Sequence, residues 1–385
     1  MNAIFERPSP WLMVRRVFGG FDGPLFAAVM LLATIGLVAM YSAGYDHGTR
    51  FVDHGRNMLI ALAVLFMVSQ VPPQKLQQLA VPLYLAGLAL LVATAMFGIT
   101  RKGAERWLDI GFMVIQPSEI MKIAMPLMMA WWFQKREGQL RVPDFVVAFV
   151  LLAVPVGMVM KQPDLGTSLL ILASGIYVMF FAGLSWKIVI PALVLGAIGL
   201  LAIVLTGDII CEPGVEWPVL REYQRHRVCT LLDPTRDPLG KGFHIIQGMI
   251  AIGSGGLGGK GFMQGTQTHL EFIPERTTDF IFAAFSEEFG LAGVLTLLAA
   301  FTFLIFRGLI IASEAPTVFT RLLAGAVTLS FFTYAFVNMG MVSGILPVVG
   351  VPLPFVSYGG TAMVSLGLGL GILMSISRSR RLMQS

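Results

Sequence analysis

Charge is what this chain has least of. Only 13% of its 385 residues are charged, roughly half the share expected of a soluble domain of that length, and this scarcity excludes a free-standing water-soluble enzyme. Cysteine is scarce as well: Cys211 and Cys229 are the only two, so one bridge is the most the chain can form. The basic start, "MNAIFERPSPWLMVRRVFGG", lacks a short apolar core followed by a small-residue cleavage site. It therefore reads as a cytoplasmic tail over residues 1–20 and not as a signal peptide. No internal repeat is evident, which removes the simplest signature of an inverted-repeat transporter.

Long apolar runs fill the rest. Hydrophobic residues make up 56% of the chain, and several runs reach the ~20 residues that cross a bilayer. The fold class expected is an all-α polytopic membrane protein. Ten spans are expected, at about 21–41, 57–71, 78–98, 117–134, 144–160, 165–183, 187–207, 280–306, 318–346 and 354–376. They make a single membrane domain over 21–376, followed by a C-terminal tail, 377–385. An even count puts both termini on one side. The tails and same-side loops carry thirteen basic residues, including Arg7, Arg15, Arg16, Arg307 and Arg378, against six in the short loops of the other face. That bias places both termini in the cytoplasm. The net charge of +5 then reflects loop bias toward anionic lipid headgroups, and no nucleic-acid partner is read from it.

One exterior segment, 208–279, is far longer than a connector needs. "GFHIIQGMIAIGSGG" within it has helical apolar patterning, so an ordered surface element is expected. Fifteen of the 22 acidic residues lie in exterior loops or at span mouths, which puts any chemistry on the outer face. Both cysteines also fall in this segment. An oxidising compartment permits a bridge between Cys211 and Cys229, and two free thiols are the plain alternative.

Several motifs carry candidate chemistry. "GSGGLGGKG" at 253–261 fits G-x-G-x-x-G, but no strand precedes it, and it fails the phosphate P-loop pattern. A flexible or closely packed exterior turn is the better reading, with backbone N–H groups that could face an anion. In "RKGAERWLDIGFMVIQPSEIMKIA", Arg101, Lys102 and Arg106 surround Trp107, an interfacial arrangement. Pro117 starts a helix with Glu119 in its first turn, and Lys122, three residues on, can pair with it. Intramembrane ionisable groups usually face a cavity or pathway. "KQPDLGTSLL" repeats the design with Asp164, for which helix capping is the competing explanation. Arg56 reads either as an ordinary snorkel or as part of the same basic face. "VPLPFVSYGGTA" is an irregular approach to the last span and includes Ser357. In "IPERTTDFIF", Thr277 or Thr278 can cap the next helix, with Asp279 in its first turn as either a cap or a general base. Glu287 and Glu288 read as helix-contact carboxylates. Together the cations suit an anionic lipid headgroup and a carboxylate suits proton transfer.

With those residues in hand, the chain resembles the shape, elongation, division and sporulation family. The likeness rests on "KGAERWLDIGFMVIQPSEIMKIA", "QPDLGTS", "LLDPTRDPLGKGFHIIQGMIAIGSGGLGGKG", "GTQTHLEFIPERTTDFIFAAFSEEFG" and "VNMGMVSGILPVVGVPLPFVSYGG", from about residue 21 to 376. The last of these leans toward the elongation member of the family. The resemblance implies a peptidoglycan glycosyltransferase that polymerises lipid II into glycan strands. It places the essential aspartate of an "HTDF" pattern on Asp279, with Thr277 where the histidine commonly stands. Asp279 would deprotonate the acceptor hydroxyl, inversion would follow, and undecaprenyl pyrophosphate would leave. Arg56, Lys122 and the Arg101, Lys102 and Arg106 cluster are then candidates for the pyrophosphate, with Trp107, Gln116, Glu119, Asp164 and Ser357 lining the substrate cavity. A divalent cation, Mg or Mn, could share that work, although no ligand spacing marks one. The family further implies a class B penicillin-binding protein, the crosslinking transpeptidase, as partner. A lipid II flippase and a non-catalytic scaffold for that partner are the alternatives.

Overall fold

Proline and its neighbours set where the helices of this chain begin. The computed structural model describes residues 21–384 except His47, 102–103, Ile110, 112–113, Gln139, 213–214, 216–221, 238–239 and Pro274; the expected tail 1–20 lies outside the described residues. Pro24, Pro73, Pro117 and Pro143 sit at the first or second helical position, where a missing N–H costs nothing. The helices α1 (Gly23–Ala43), α2 (Arg50–Ser69) and α3 (Pro73–Phe97) come first. Three short antiparallel strands follow in the order β1 (Ile99–Arg101), β2 (Ala104–Asp109) and β3 (Val114–Ile115). The sheet is the one departure from the all-helical expectation. Where the chain leaves the apolar layer without a helix, strand pairing satisfies its backbone.

Four further helices complete the first half: α4 (Pro117–Gln134), α5 (Val142–Lys161), α6 (Leu165–Phe181) and α7 (Trp186–Leu205). The long segment after them forms helices over much of its described length, as the patterning of 242–256 predicts. It contains α8 (Gly207–Ile210), α9 (Glu222–Leu232), a 3₁₀ turn at Pro234–Arg236, α10 (Lys241–Ser254) and α11 (Thr266–His269). The last spans are α12 (Ile281–Ser313), α13 (Val318–Val342) and α14 (Gly360–Gln384). Among the described residues, eight helices are long and apolar enough to cross a membrane. α6 has 17 residues and α4 carries Glu119 and Lys122 in 18; counting both gives the ten expected. The chain is a multi-pass membrane protein. α2 begins at Arg50, earlier than its apolar run, because polar residues complete its first two turns.

α13 is the most enclosed of these spans, packing between α12 on one side and α6 and α4 on the other. α2 lies along α14 so closely that a Cβ on Gly367 would stand 2.4 Å from the Ala61 carbonyl oxygen. Small residues allow such approach between membrane helices. α7, by contrast, has no buried residue.

The glycine-rich turn is packing. α12 kinks at Gly290 (φ 60°, ψ −160°), which interrupts its hydrogen-bond ladder inside the bundle. Residues 256–261 repair the break: the N–H groups of Leu291 and Ala292 donate to the carbonyls of Gly256 and Leu257, and Lys260 and Gly261 donate to those of Glu287 and Glu288. A side chain on Gly259 would meet the Glu288 oxygen at 2.0 Å. These amides are spent on backbone, so the turn is no anion loop. Glu287, fully buried, accepts from Lys260 (2.6 Å), Thr266 (3.0 Å) and the Gln267 N–H (3.0 Å). It is the contact carboxylate its position suggested.

At the other end of α1, Asp22 joins three helices. It caps α1 through the Leu25 N–H, accepts from Arg307 of α12 at 2.9 and 2.6 Å, and accepts from Ser377 of α14 at 2.9 Å. Burial alone would raise its pKa. The hydrogen bonds from Arg307, Leu25 and Ser377 outweigh that and hold it below the ordinary carboxylate range. The stabilisation is present above the unfolded-state value and is lost as pH falls through the lower folded one. Replacing Asp22 with Ala leaves Arg307 uncompensated, at a cost of about 3 kcal/mol. The expected outcome is a lowered thermal midpoint in detergent at neutral pH, with the gap to wild type closing in acid.

Candidate active site

Residues 275–280 precede α12 as a series of turns, and Asp279 lies outside the helix. Phe280 is the N-cap residue and has no side-chain cap. This corrects the expectation that Thr277 or Thr278 caps a helix whose first turn holds Asp279. The groups that would have formed such a cap are engaged elsewhere. Thr277 Oγ1 accepts from Arg50 Nη1 at 2.8 Å, and the Arg50 guanidinium lies 4.8 Å from the centre of the Tyr358 ring. The carbonyl of Thr277 accepts from the Tyr358 N–H at 2.9 Å, and that of Thr278 from Ser357 Oγ at 2.7 Å. Asn338 of α13 donates to the carbonyls of Asp279 (3.0 Å) and Val351 (2.8 Å).

The Asp279 turn is thus held from three sides: by α2, by α13 and by the irregular segment 350–358. Gly350 has φ +77°, and a Cβ there would stand 3.3 Å from Asp279 Oδ2, so the backbone beside the carboxylate needs glycine. Arg276, expected at a charged rim, is 2% exposed. It donates to the Ala43 carbonyl at 3.0 Å and pairs with Asp46, beneath the Tyr45 ring. It ties the turn to the end of α1. Pro274 lies outside the described residues.

A second group of polar residues faces the same end. Asp164 caps α6 through the Thr167 N–H (3.1 Å), accepts from Gln116 Nε2 (3.0 Å) and lies 3.7 Å from Arg106 Nη1. The capping expected of Asp164 is present, and a contact with Arg106 accompanies it. Arg106 also donates to the Pro163 carbonyl at 2.8 Å. One turn deeper on α4, Lys122 pairs with Glu119 at 2.7 Å and donates to Tyr334 at 2.7 Å, and Ser365 donates to Glu119 at 2.9 Å. The ammonium is neutralised inside the bundle, so its role is to hold Glu119 and Tyr334 as much as to meet an anion. A cleft of 580 Å³ opens beside Glu119, lined by Gln116, Asn57, Thr361 and Ser365 and otherwise chiefly by apolar side chains of β3, α3, α4 and α14.

Arg227 lies on α9. Tyr223 anchors this helix to the Met160 carbonyl at the end of α5 (3.4 Å), and the Cys211–Cys229 disulfide anchors it to α8. Burial lowers the pKa of Arg227, and the positive charge of Arg106 adds to this. Tyr223, Asp164 and Asp279 pull it back.

The remaining expected residues are placed as follows. Arg56 is two-thirds exposed and pairs with Asp53 at 3.0 Å on its own helix, outside the contacts described above. Trp107 is half-buried on β2, opposite Ile99. Ser357 is buried with its hydroxyl committed to the Thr278 carbonyl and the Leu353 N–H, so it shapes the turn and does not present a free group. Lys102 and the Arg101 side chain lie outside what the structure describes. Arg50, Asn338, Tyr334 and Arg227 were not singled out from the sequence. The "REYQRHRVC" run around Arg227 reads as a solvated helix face, and only tertiary contact distinguishes it. No three His, Cys, Asp or Glu side chains converge as a cation site among the described residues. A divalent cation would be held chiefly by oxygens of a substrate, as Mg²⁺ often is. Chemically, a half-buried carboxylate on a braced turn can accept a proton, and the arginines beside it can hold an anion.

Comparison with known proteins gives a consistent picture. The family model described as cell cycle protein, FtsW/RodA/SpoVE, matches residues 24–382. The chain is 47% identical over 359 residues to the peptidoglycan glycosyltransferase MrdB of Escherichia coli K12, covering 93% of this chain and 94% of that one. Its structure is similar to a solved chain of a peptidoglycan synthase complex that coordinates polymerization and crosslinking (TM-score 0.76, 32% identity, 94% of this chain and 98% of that one). It is also similar to the crystal structure of the Thermus thermophilus rod shape determining protein RodA (TM-score 0.68, 27% identity, 94% and 97%).

Two outcomes test the local architecture. Asn338→Leu keeps the volume but leaves two buried carbonyls unpaired, and should lower stability by about 2 kcal/mol, read as a shifted unfolding midpoint. The bridge between Cys211 and Cys229 should give a mass difference between reduced and non-reduced alkylated protein. Its removal should cost on the order of 3 kcal/mol in the chain-entropy account.

Proposed function

We propose a function from the premise that this chain belongs to the FtsW/RodA/SpoVE family: it is a peptidoglycan glycosyltransferase serving cell elongation. The donor in this reading is lipid II and the acceptor a nascent glycan strand. Asp279 takes the proton from the acceptor's 4-hydroxyl as the oxygen attacks the donor's anomeric carbon. The bond from that carbon to the pyrophosphate breaks, undecaprenyl pyrophosphate leaves, and the α-linked donor becomes a β-linked residue by inversion. The observation that carries the assignment is the Asp279 turn itself. Its carboxylate is half-buried, its backbone is fixed by Asn338, Ser357 and Tyr358, and a guanidinium is within electrostatic reach. Holding a base within the geometry of reaction is where such a residue gains its effect.

The rest of the site suits that substrate. Asp164 and Gln116 offer polar contacts, and the cleft beside Glu119 has the largely apolar lining an isoprenoid chain would accept. With both termini in the cytoplasm, as the basic residues direct, the Asp279 end faces the periplasm from the inner membrane. A class B penicillin-binding protein is the partner proposed, to crosslink the strands as they emerge. A divalent cation, if used, would neutralise the pyrophosphate as it leaves.

Purified protein with labelled lipid II tests the reading. Wild type should form polymer, and Asp279→Ala should lose on the order of 10²–10⁴ in rate, the usual share of a general base, with folding and lipid II binding retained. Polymerisation at the wild-type rate by Asp279→Ala would remove the assignment. Bulk transfer of lipid II across the bilayer without polymer would identify a flippase instead.

A further inference from the structure

The cleft beside Glu119 has two kinds of wall. Asn57 of α2, Gln116 at the N-cap of α4 and Thr361 at the start of α14 gather at its outer mouth. Ile123 and Leu368 line it about two turns further along α4 and α14. Among the described residues, Glu119 is the only charged side chain of this lining. Its charge is spent on Lys122 at 2.7 Å and on the Ser365 hydroxyl at 2.9 Å. The mouth is therefore polar but neutral, which does not suit a phosphate.

The carboxamides there are not spent. Gln116 commits one N–H to Asp164 at 3.0 Å, which leaves its carbonyl oxygen and its second N–H. Asn57 is half-buried and makes no hydrogen bond among the described residues. A Cβ on Gly360 would stand 3.3 Å from Asn57 Nδ2, so the glycine lets this amide rest against the first turn of α14. A side-chain amide presents two donors and an acceptor, and leaving them unmet in an occupied cleft is costly. A ligand that meets both ends must carry a neutral donor and a neutral acceptor on separate atoms. A secondary amide does so: its C=O accepts from the Asn57 N–H, and its N–H donates to the carbonyl oxygen of Asn57 or Gln116. A hydroxyl carries donor and acceptor on a single atom and spans only one end.

We propose that Asn57, with Gln116 and Thr361, forms a recognition subsite for an N-acetyl group on the substrate's sugar. The acetyl methyl is apolar, and Val114, Ile115 and Ile120 beside Gln116 supply a wall for it. This inference rests on the function proposed above, which brings a lipid-linked sugar to the cleft. It assigns the mouth to the sugar and leaves the apolar depth to the chain.

Binding by the full chain in lipid nanodiscs tests the subsite. The probes are a polyprenyl-pyrophosphate-linked 2-acetamido sugar without peptide, its 2-hydroxy analogue, and a short soluble peptide, whose amides are the other source of the same chemistry. Wild type should bind the acetamido lipid on the order of tenfold more tightly than the hydroxy analogue. Asn57→Leu should bring that ratio to about one by weakening the acetamido lipid alone, with the thermal midpoint unchanged. Asn57→Gln should recover part of the ratio, since the amide is kept but displaced. If the leucine variant does not fold, Asn57→Asp replaces it: the size and the acceptor are kept, the donor is lost, and the ratio should again fall. A wild-type ratio in either variant overturns the subsite. So does an equal weakening of both lipids, which marks Asn57 as structural. Asn57-dependent binding of the peptide, with no preference for the acetamido lipid, overturns the sugar as the source of the amide. Polymer formation without an acetamido preference refutes the subsite and leaves the proposed function standing. An Asn57-dependent preference in a protein that makes no polymer upholds the subsite and refutes that function.

Discussion

Where a chain leaves helical geometry inside a membrane bundle, no water is at hand, so every freed backbone group must be satisfied by protein. That constraint shapes the functional end of this molecule. The turn at 275–280 and the segment at 350–358 are both irregular, and each satisfies the other: Tyr358 and Ser357 serve the carbonyls of Thr277 and Thr278, and Asn338 bridges Asp279 to Val351. The same logic holds at the α12 kink, where the glycine-rich turn takes up the groups Gly290 releases. An exposed carboxylate on a mobile loop would sample many positions. Asp279 is carried instead on backbone that has almost no freedom left.

A hierarchy of charge follows. The ions buried most deeply are closed sets: Asp22 with Arg307, Glu287 with Lys260, Lys122 with Glu119. Each neutralises itself and ties separate elements together, which is the arrangement that offsets the cost of removing ions from water. Among the described residues, Arg106 and Arg227 each retain a buried donor without a hydrogen-bond partner.

The helix order, the helical segment at 241–254 and the Glu119–Lys122 spacing were all legible in the sequence, because each follows from local period or local chemistry. What was hidden needed a partner from elsewhere in the chain. Arg50 and Arg56 are six residues apart on one helix, about 240° around its axis. Nothing in the sequence says which side meets Thr277, and the structure chooses Arg50. Arg276 looks like a rim residue until the end of α1 closes over it with Tyr45 and Asp46. "TTDF" has the composition of a helix cap, yet tertiary bonds from 350–358 claimed the backbone groups first, and the helix starts at Ile281. Thr277, where the family commonly has histidine, also gains an account: its hydroxyl receives Arg50, so this position braces the turn without needing a titratable ring.

The same geometry weighs on how the reaction is divided among residues. A carrier that moves a headgroup across the membrane needs polar groups that open toward both sides in alternation. Here the end opposite Asp279 holds Asp22, fully buried and bonded to Leu25, Arg307 and Ser377, a lock across three helices with no acceptor left to offer. Opening that side would break the lock and strand Arg307. The arrangement is therefore one-sided: a closed end that resists movement, and an end where the Asp279 turn is braced by Asn338, Ser357 and Tyr358. Fixed polarity of this kind favours chemistry at one face over transport between two.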